Sequence, residues 1–175
     1  MSPSDPPDGI DPRALEAARE SFSLARQGNA EKLRQMLDAG LPVNLSNEAG
    51  NTLLMLAAYS GQAEVAKLLL SRGADPNRAN DNGQTPLAGA AFKGDLRMVE
   101  LLLDGGAPVD GAGPDGRTAL MFAAMFDKLE VLELLLSRGA DASRKDASGG
   151  TALTAARMMG APRTAARLQE LEGRS

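Results

Sequence analysis

Apolar residues along this chain come in short bursts separated by polar, glycine-bearing turns, and the bursts recur at a fixed step. Leu54, Leu87, Leu120 and Leu153 lie 33 residues apart, and so do Ala57, Ala90, Ala123 and Ala156. Polar landmarks keep the same step: Gly50, Gly83, Gly116 and Gly149, then Thr52, Thr85, Thr118 and Thr151. Gly40, Gly73, Gly106 and Gly139 close each burst. A period of this length implies a stack of like supersecondary units, none of which can bury its apolar face alone.

The stretch 80–110, NDNGQTPLAGAAFKGDLRMVELLLDGGAPVD, contains one whole unit. Thr85 suits a helix start and Pro86 is tolerated in a first turn, so a short helix is predicted there. Leu87, Ala90 and Ala91 share one face of it, and the alanines let a neighbouring helix approach closely. Gly94 breaks the chain. A second predicted helix carries Met98, Val99, Leu101, Leu102 and Leu103, and Gly106 supplies the left-handed residue that commonly ends a helix. The segment GAPVD then runs on, extended, toward the next turn. Each helix has only about two turns, far short of the roughly 12–15 residues that are marginally stable alone. Their apolar faces must therefore be buried against neighbouring copies, in a quasi-one-dimensional solenoid.

The repeated pattern G-x-T-P-L-x-x-A-A-x-x-G followed by V-x-L-L-L-x-x-G-A-D resembles the ankyrin repeat. It reads GNTLLMLAAYSG…KLLLSRGADPN, GQTPLAGAAFKG…ELLLDGGAPVD and GRTALMFAAMFD…ELLLSRGADAS, and the likeness covers roughly residues 14–171. The resemblance implies an all-α repeat solenoid of helix-turn-helix units joined by β-turn fingers, about five units with both caps. The expected division is a disordered tail at 1–12 and one domain over 13–175. That domain comprises a cap at 13–46, repeats at 47–79, 80–112 and 113–145, and a C-terminal cap repeat at 146–171. The first unit lacks the threonine landmark and has a longer, more charged first helix; in the last, Leu168 is expected to have a wet outer side. Ankyrin repeats usually carry histidine after T-P-L, whereas this chain has Met55, Ala88, Met121 and Thr154 there. The imidazole bonds between repeats must be replaced.

Composition narrows the chemistry. The chain has neither histidine nor cysteine, so the commonest general base, the commonest transition-metal ligand and any thiolate are missing. No cofactor or metal is expected. A net charge of −4 argues against nucleic acid or an anionic membrane as partner. No apolar run approaches the roughly 18 residues of a membrane span, and the N-terminus has no secretory pattern. A cytoplasmic, monomeric protein is the expectation, and the excess of arginine over lysine resembles a GC-rich bacterial genome. The stretch Gly111-Ala112-Gly113-Pro114-Asp115-Gly116 matches G-x-G-x-x-G, but Gly116 belongs to the repeat series and a repeat's exit segment precedes it. It is not a nucleotide fingerprint.

The resemblance also implies a binding surface. Tyr59, Phe92, Met125 and Met158 are 33 residues apart at the end of each first helix, where ankyrin repeats face a concave groove, with Phe126 and Met159 beside the last two. Asn51, Gln84, Arg117 and Gly150 are the adjoining groove positions, and Leu56 and Phe122 would extend the apolar strip. Aromatic residues and methionine are enriched at interface cores. Large residues here can also fold down as partial core. The turns NLSNEAGN, NRANDNGQ, DGAGPDGR and SRKDASGG would border the groove as fingers, presenting Glu48, Asp81, Asn82 and Asp115. The third has Gly113 where the others have Asn or Asp, and is expected to be the least rigid. On the opposite side Glu64, Arg97, Glu130 and Arg163 alternate in sign, as expected of a solvated face with weak ion pairs. The implied function is recognition of a partner protein through the groove; the alternative is a dedicated accessory or inhibitory subunit of one co-expressed enzyme. Catalysis by Asp81 and Asp115 is disfavoured, because such a solenoid lacks a deep water-excluding pocket.

Overall fold

The computed structural model describes residues 11–174. Residues 1–10 and 175 lie outside the described residues, and with them nearly all of the expected tail. Among the described residues the chain forms ten helices in five pairs. These are α1 (Pro12–Gln27) with α2 (Ala30–Asp38), α3 (Leu53–Tyr59) with α4 (Ala63–Ser71), and α5 (Pro86–Lys93) with α6 (Leu96–Asp104). After them come α7 (Ala119–Met125) with α8 (Leu129–Ser137), and α9 (Ala152–Met159) with α10 (Pro162–Glu172). The odd helices stack in one row and the even helices in a second, so the protein is an all-helical repeat solenoid. Among the described residues extended pairing is confined to two isolated antiparallel bridges, Ser46 with Thr52 and Ala112 with Thr118.

Threonine starts four of the odd helices for a local reason. The hydroxyls of Thr52, Thr85 and Thr118 accept the N–H groups of Met55, Ala88 and Met121 at 3.1, 3.2 and 3.4 Å. Each satisfies one of the donors a helix start leaves free. The positions three residues on are those where histidine was missed. In α3, α5 and α7 their side chains are buried apolar core. In α9 Thr154 instead completes a capping box, its hydroxyl accepting the Thr151 N–H at 2.7 Å. No imidazole is needed, and among the described residues no buried side-chain nitrogen or oxygen lacks a partner.

The core is a column of leucine and alanine between the two rows. Leu69, Leu102 and Leu135 on the even helices and Ala57, Ala90 and Ala123 on the odd ones are fully buried. Two expectations are corrected here. Leu56 and Phe122 are not part of an exposed strip: at 8% and 4% exposure they point into the core, one turn before the helix end. Leu168 is not wet on its outer side either; it is 2% exposed, so the last helix closes over its own leucine.

One connection departs from the pattern. Gly28, Gly61, Gly94 and Gly160 join the helices of a pair with positive φ, but the fourth pair has Asp127 there, at φ 54°. An L side chain in this region is strained, asparagine and aspartate least so. The carboxylate offsets the strain across the stack. It accepts the Thr164 N–H at 3.0 Å and the Thr164 hydroxyl at 3.3 Å, while Arg163 donates to its other oxygen at 3.2 Å. The N-cap residue of α10 is Ala161, which has no side chain able to cap, so Asp127 caps that helix from the preceding pair.

Candidate recognition surface

The odd helices end on one edge of the solenoid, and three of the chain's five aromatic side chains gather there. Tyr59 at the end of α3 stacks on Phe92 of α5, with ring centroids 5.9 Å apart and planes 11° from parallel. Phe92 in turn meets Phe126 edge-on, at 4.6 Å and 80°. Both are favoured aromatic geometries. Lys93 lies 4.9 Å from the centre of the Tyr59 ring. The result is a continuous aromatic ridge over three repeats. Tyr59 and Phe126 are exposed, and Phe92 between them is half-buried.

The ridge leaves the strict 33-residue series at its third member. Met125, in register with Phe92, is half-buried, and the ring against Phe92 belongs to the next residue, Phe126, the C-cap of α7. Beyond it Met158 is the most exposed large apolar side chain among the described residues, at 86%, with Met159 beside it.

The polar positions next to the ridge are tied down to different degrees. Asn51 accepts a hydrogen bond from the Asn80 amide at 2.9 Å, which links the first two fingers. The Gln84 backbone N–H donates to the Asn80 side chain. Arg117 is held by Asp115, its Nε 2.6 Å from the carboxylate, and its guanidinium lies 5.4 Å from the Phe122 ring centre. Glu48, Asp81 and Asn82 are exposed at fingertips, whereas Asp115 is half-buried beneath Arg117.

Three fingers are closed alike. Asn47, Asn80 and Asp146 each accept two backbone N–H groups, from residues two and four positions on. Gly113 cannot, but its finger is not thereby free. A β-carbon at Gly113 would sit 2.0 Å from the Gly83 carbonyl oxygen, so the glycine is there to let the second and third fingers meet backbone to backbone. The backbone N–H of Asp81 donates to the Ala49 carbonyl, and that of Ala147 to the Asp115 carbonyl. Pro114 occupies the equivalent position in the third finger and has no N–H to donate.

Electrostatics away from the ridge follow the back-face series. Arg97 pairs with Glu64 at 3.8 Å and Arg163 with Glu130 at 3.3 Å, all well exposed. The Asp127 carboxyl is held below its ordinary value chiefly by the Thr164 N–H, against an opposing effect of burial. That of Asp141 is lowered by the Ser143 hydroxyl. Among the described residues no three acidic side chains gather in a way that could hold a metal.

A second concavity was not found from sequence. α1 is twice as long as the other odd helices, and its residues 20–26 are in register with α3. Its first half, 12–19, therefore stands where later units have a finger. Between this extension and the first true finger lies a cleft of about 910 Å³, with Leu15, Phe22, Met36, Leu41 and Leu45 among its walls and Arg19 and Glu48 also lining it. The signal was present: the first unit has no threonine to start a helix after a turn.

Paired short helices stacked at a fixed repeat, with an apolar ridge on one edge, define a helical repeat solenoid. The family model that describes ankyrin repeats in three copies matches residues 22–111, 73–146 and 90–172, and the chain belongs to that family. An ankyrin repeat protein of the bacterium Pseudomonas aeruginosa is 55% identical to it over 50 residues, 29% of this chain and 29% of that relative. The match thus spans less than a third of the relative's length.

Proposed function

We propose that this chain binds a partner protein along the groove edge, with the Tyr59–Phe92–Phe126 ridge as the apolar centre of the contact. Met125 and Met158 extend it toward the C-terminus. Asn51, Gln84 and Arg117, with the fingertip residues Glu48, Asp81, Asn82 and Asp115, set which partner is accepted. The observation that carries the reading is the ridge itself. Tyrosine and phenylalanine are scarce in this chain, and three of the five stand in mutual contact, two of them exposed. Such rings supply large, rigid contact area, and a few of them usually dominate binding energy. Family membership supports the same reading, since ankyrin repeats are generally protein-interaction modules.

In this proposal the protein is a cytoplasmic, non-enzymatic monomer that needs no cofactor. No helix among the described residues is long and apolar enough to cross a membrane. Phe126→Asp tests the surface. Phe126 lies outside the helix proper, so a charge there should weaken partner binding by about 2 kcal/mol or more while changing unfolding free energy little. Arg97→Glu, on the back face, should leave affinity unchanged. Intact binding by folded Phe126→Asp together with lost binding by Arg97→Glu would move the interface to the opposite side and end this reading.

A further inference from the structure

The last unit puts sulfur where the earlier units put rings. Met158 is in register with Tyr59 and Phe92, and Met159 with Phe126, so the pair continues the apolar edge. Met158 is 86% exposed and Met159 53%. The burial of α9 comes instead from Ala152, Leu153 and Ala156. Side chains held in water this way add little to stability, but their thioethers are open to solvent chemistry.

The other described methionines are shielded. Met55, Met98 and Met121 are at most 3% exposed, and Met36 and Met125 are half-buried. The chain has no cysteine to compete for an oxidant. A thioether has no proton to lose, so its attack on an oxidant needs neither a base nor the lowered pKa that activates a thiol. Access then decides which sulfur reacts.

We propose that Met158 and Met159 form a reversible oxidation site for a peroxide, and that its state sets how apolar the C-terminal end of the recognition edge is. A sulfur lone pair attacks one peroxide oxygen, so an S–O bond forms and the O–O bond breaks. The proton on the attacked oxygen passes to the departing hydroxide, which leaves as water. Sulfur gives up two electrons and the peroxide takes them. The product is a sulfoxide, a polar acceptor where an apolar thioether stood, and sulfoxide reductases specific for each epimer return it. With both sulfurs outside the core, oxidation changes the edge and spares the fold. The consequence for partner binding rests on the function proposed above; the site and its effect on the edge do not.

The test treats the full chain with low-millimolar hydrogen peroxide and follows tryptic fragments by mass spectrometry. The fragment MMGAPR carries Met158 and Met159, and TALMFAAMFDK carries Met121 and Met125. Met158 and Met159 should oxidise at least roughly tenfold faster than Met121. Oxidised protein should elute earlier from a phenyl column with its urea midpoint unchanged, and the reductases should restore the elution. The double variant Met158→Leu, Met159→Leu should elute late before and after peroxide, whereas Met158→Gln, Met159→Gln should elute early without it. Equal oxidation of Met158 and Met121, unchanged elution of the oxidised chain, or a urea midpoint that falls with oxidation of the pair would overturn the proposal. Partner affinity separates this proposal from the groove reading beneath it. Loss of affinity with Phe126→Asp but not with oxidation would keep the groove and sink its regulation, whereas loss with neither would remove the groove reading itself.

Discussion

Asp127 offers the sharpest test of how the repeats are locked together, because one side chain carries a strain and its compensation. Removing the carboxylate leaves the α10 start without an acceptor, a loss worth about 1–2 kcal/mol for a helix cap. Keeping a β-carbon at positive φ without that acceptor adds about 1 kcal/mol. Asp127→Ala should therefore destabilise by about 2–3 kcal/mol, the sum of the two. Asp127→Gly loses the cap but recovers roughly 0.5–1 kcal/mol by relieving the backbone, for a net cost of about 0–1.5 kcal/mol. Asp127→Asn keeps an oxygen toward Thr164 and tolerates the left-handed region, so it should be milder than alanine. The assay is urea denaturation of the three variants, read with amide exchange at Thr164 to place the loss in α10. The pH sign follows from the lowered carboxyl value. The charged form is favoured in the fold, so its contribution is complete above the ordinary carboxyl value of 3.8 and fades as pH falls through the lower folded-state value. The stability gap between the native chain and Asp127→Asn should close over that acidic interval. A glycine variant more stable than the native chain would refute the reasoning, since the capping bonds would then contribute less than the strain costs.

Three further outcomes follow. Leu102→Ala and Leu168→Ala should each cost about 2–5 kcal/mol, because both side chains are buried to within 2%; chemical denaturation that found Leu168 far cheaper would restore the wet cap. Gly113→Ala should push the third finger off the second, visible as faster amide exchange at Arg117 and weaker partner binding, whereas Gly149→Ala, at φ 82°, strains only its own turn, meets no atom within 4 Å, and should leave the spacing of the second and third fingers alone. Partner affinity should be flat between about pH 6 and 8, since the chain lacks the side chains that titrate there; isothermal titration in buffers of different ionisation heat checks it, and proton uptake belonging to this chain would contradict it.

The helices were legible because period, cap and apolar spacing agree in the repeated core of the chain: Thr85 opens a helix, Leu87 and Ala90 bury one face, Gly94 turns the chain. The ridge was legible to within one residue. Periodicity aligns backbone positions, and it put Met125 in register with Phe92, with Phe126 beside it. It could not decide between two adjacent large side chains, and the ring that reaches Phe92 is Phe126, in register with Lys93. Leu56 and Phe122 were misplaced for a related reason. One turn back along a short helix shares a face only if the face is wide, and here it has already turned into the core. The role of Asp127 was available as the one break in the Gly61, Gly94, Gly160 series, but its partner Thr164 lies 37 residues away, and only the stack brings them together. Gly113 was read as looseness because its side of the contact is visible in sequence and the Gly83 carbonyl is not.

The alternating ion pairs give the stack a parity. Glu64 meets Arg97 and Glu130 meets Arg163, while Asp38 meets Arg72 and Asp104 meets Arg138. Each sign therefore returns every second repeat, so odd and even units are not interchangeable neighbours. Excising residues 80–112 would preserve the leucine column yet set Glu64 beside Glu130 and Arg72 beside Arg138. Chain slippage or recombination by one unit meets like charge against like, whereas a shift of two units restores these four pairings. Growth or shrinkage of such an array by whole pairs of repeats is the route that its own surface leaves open.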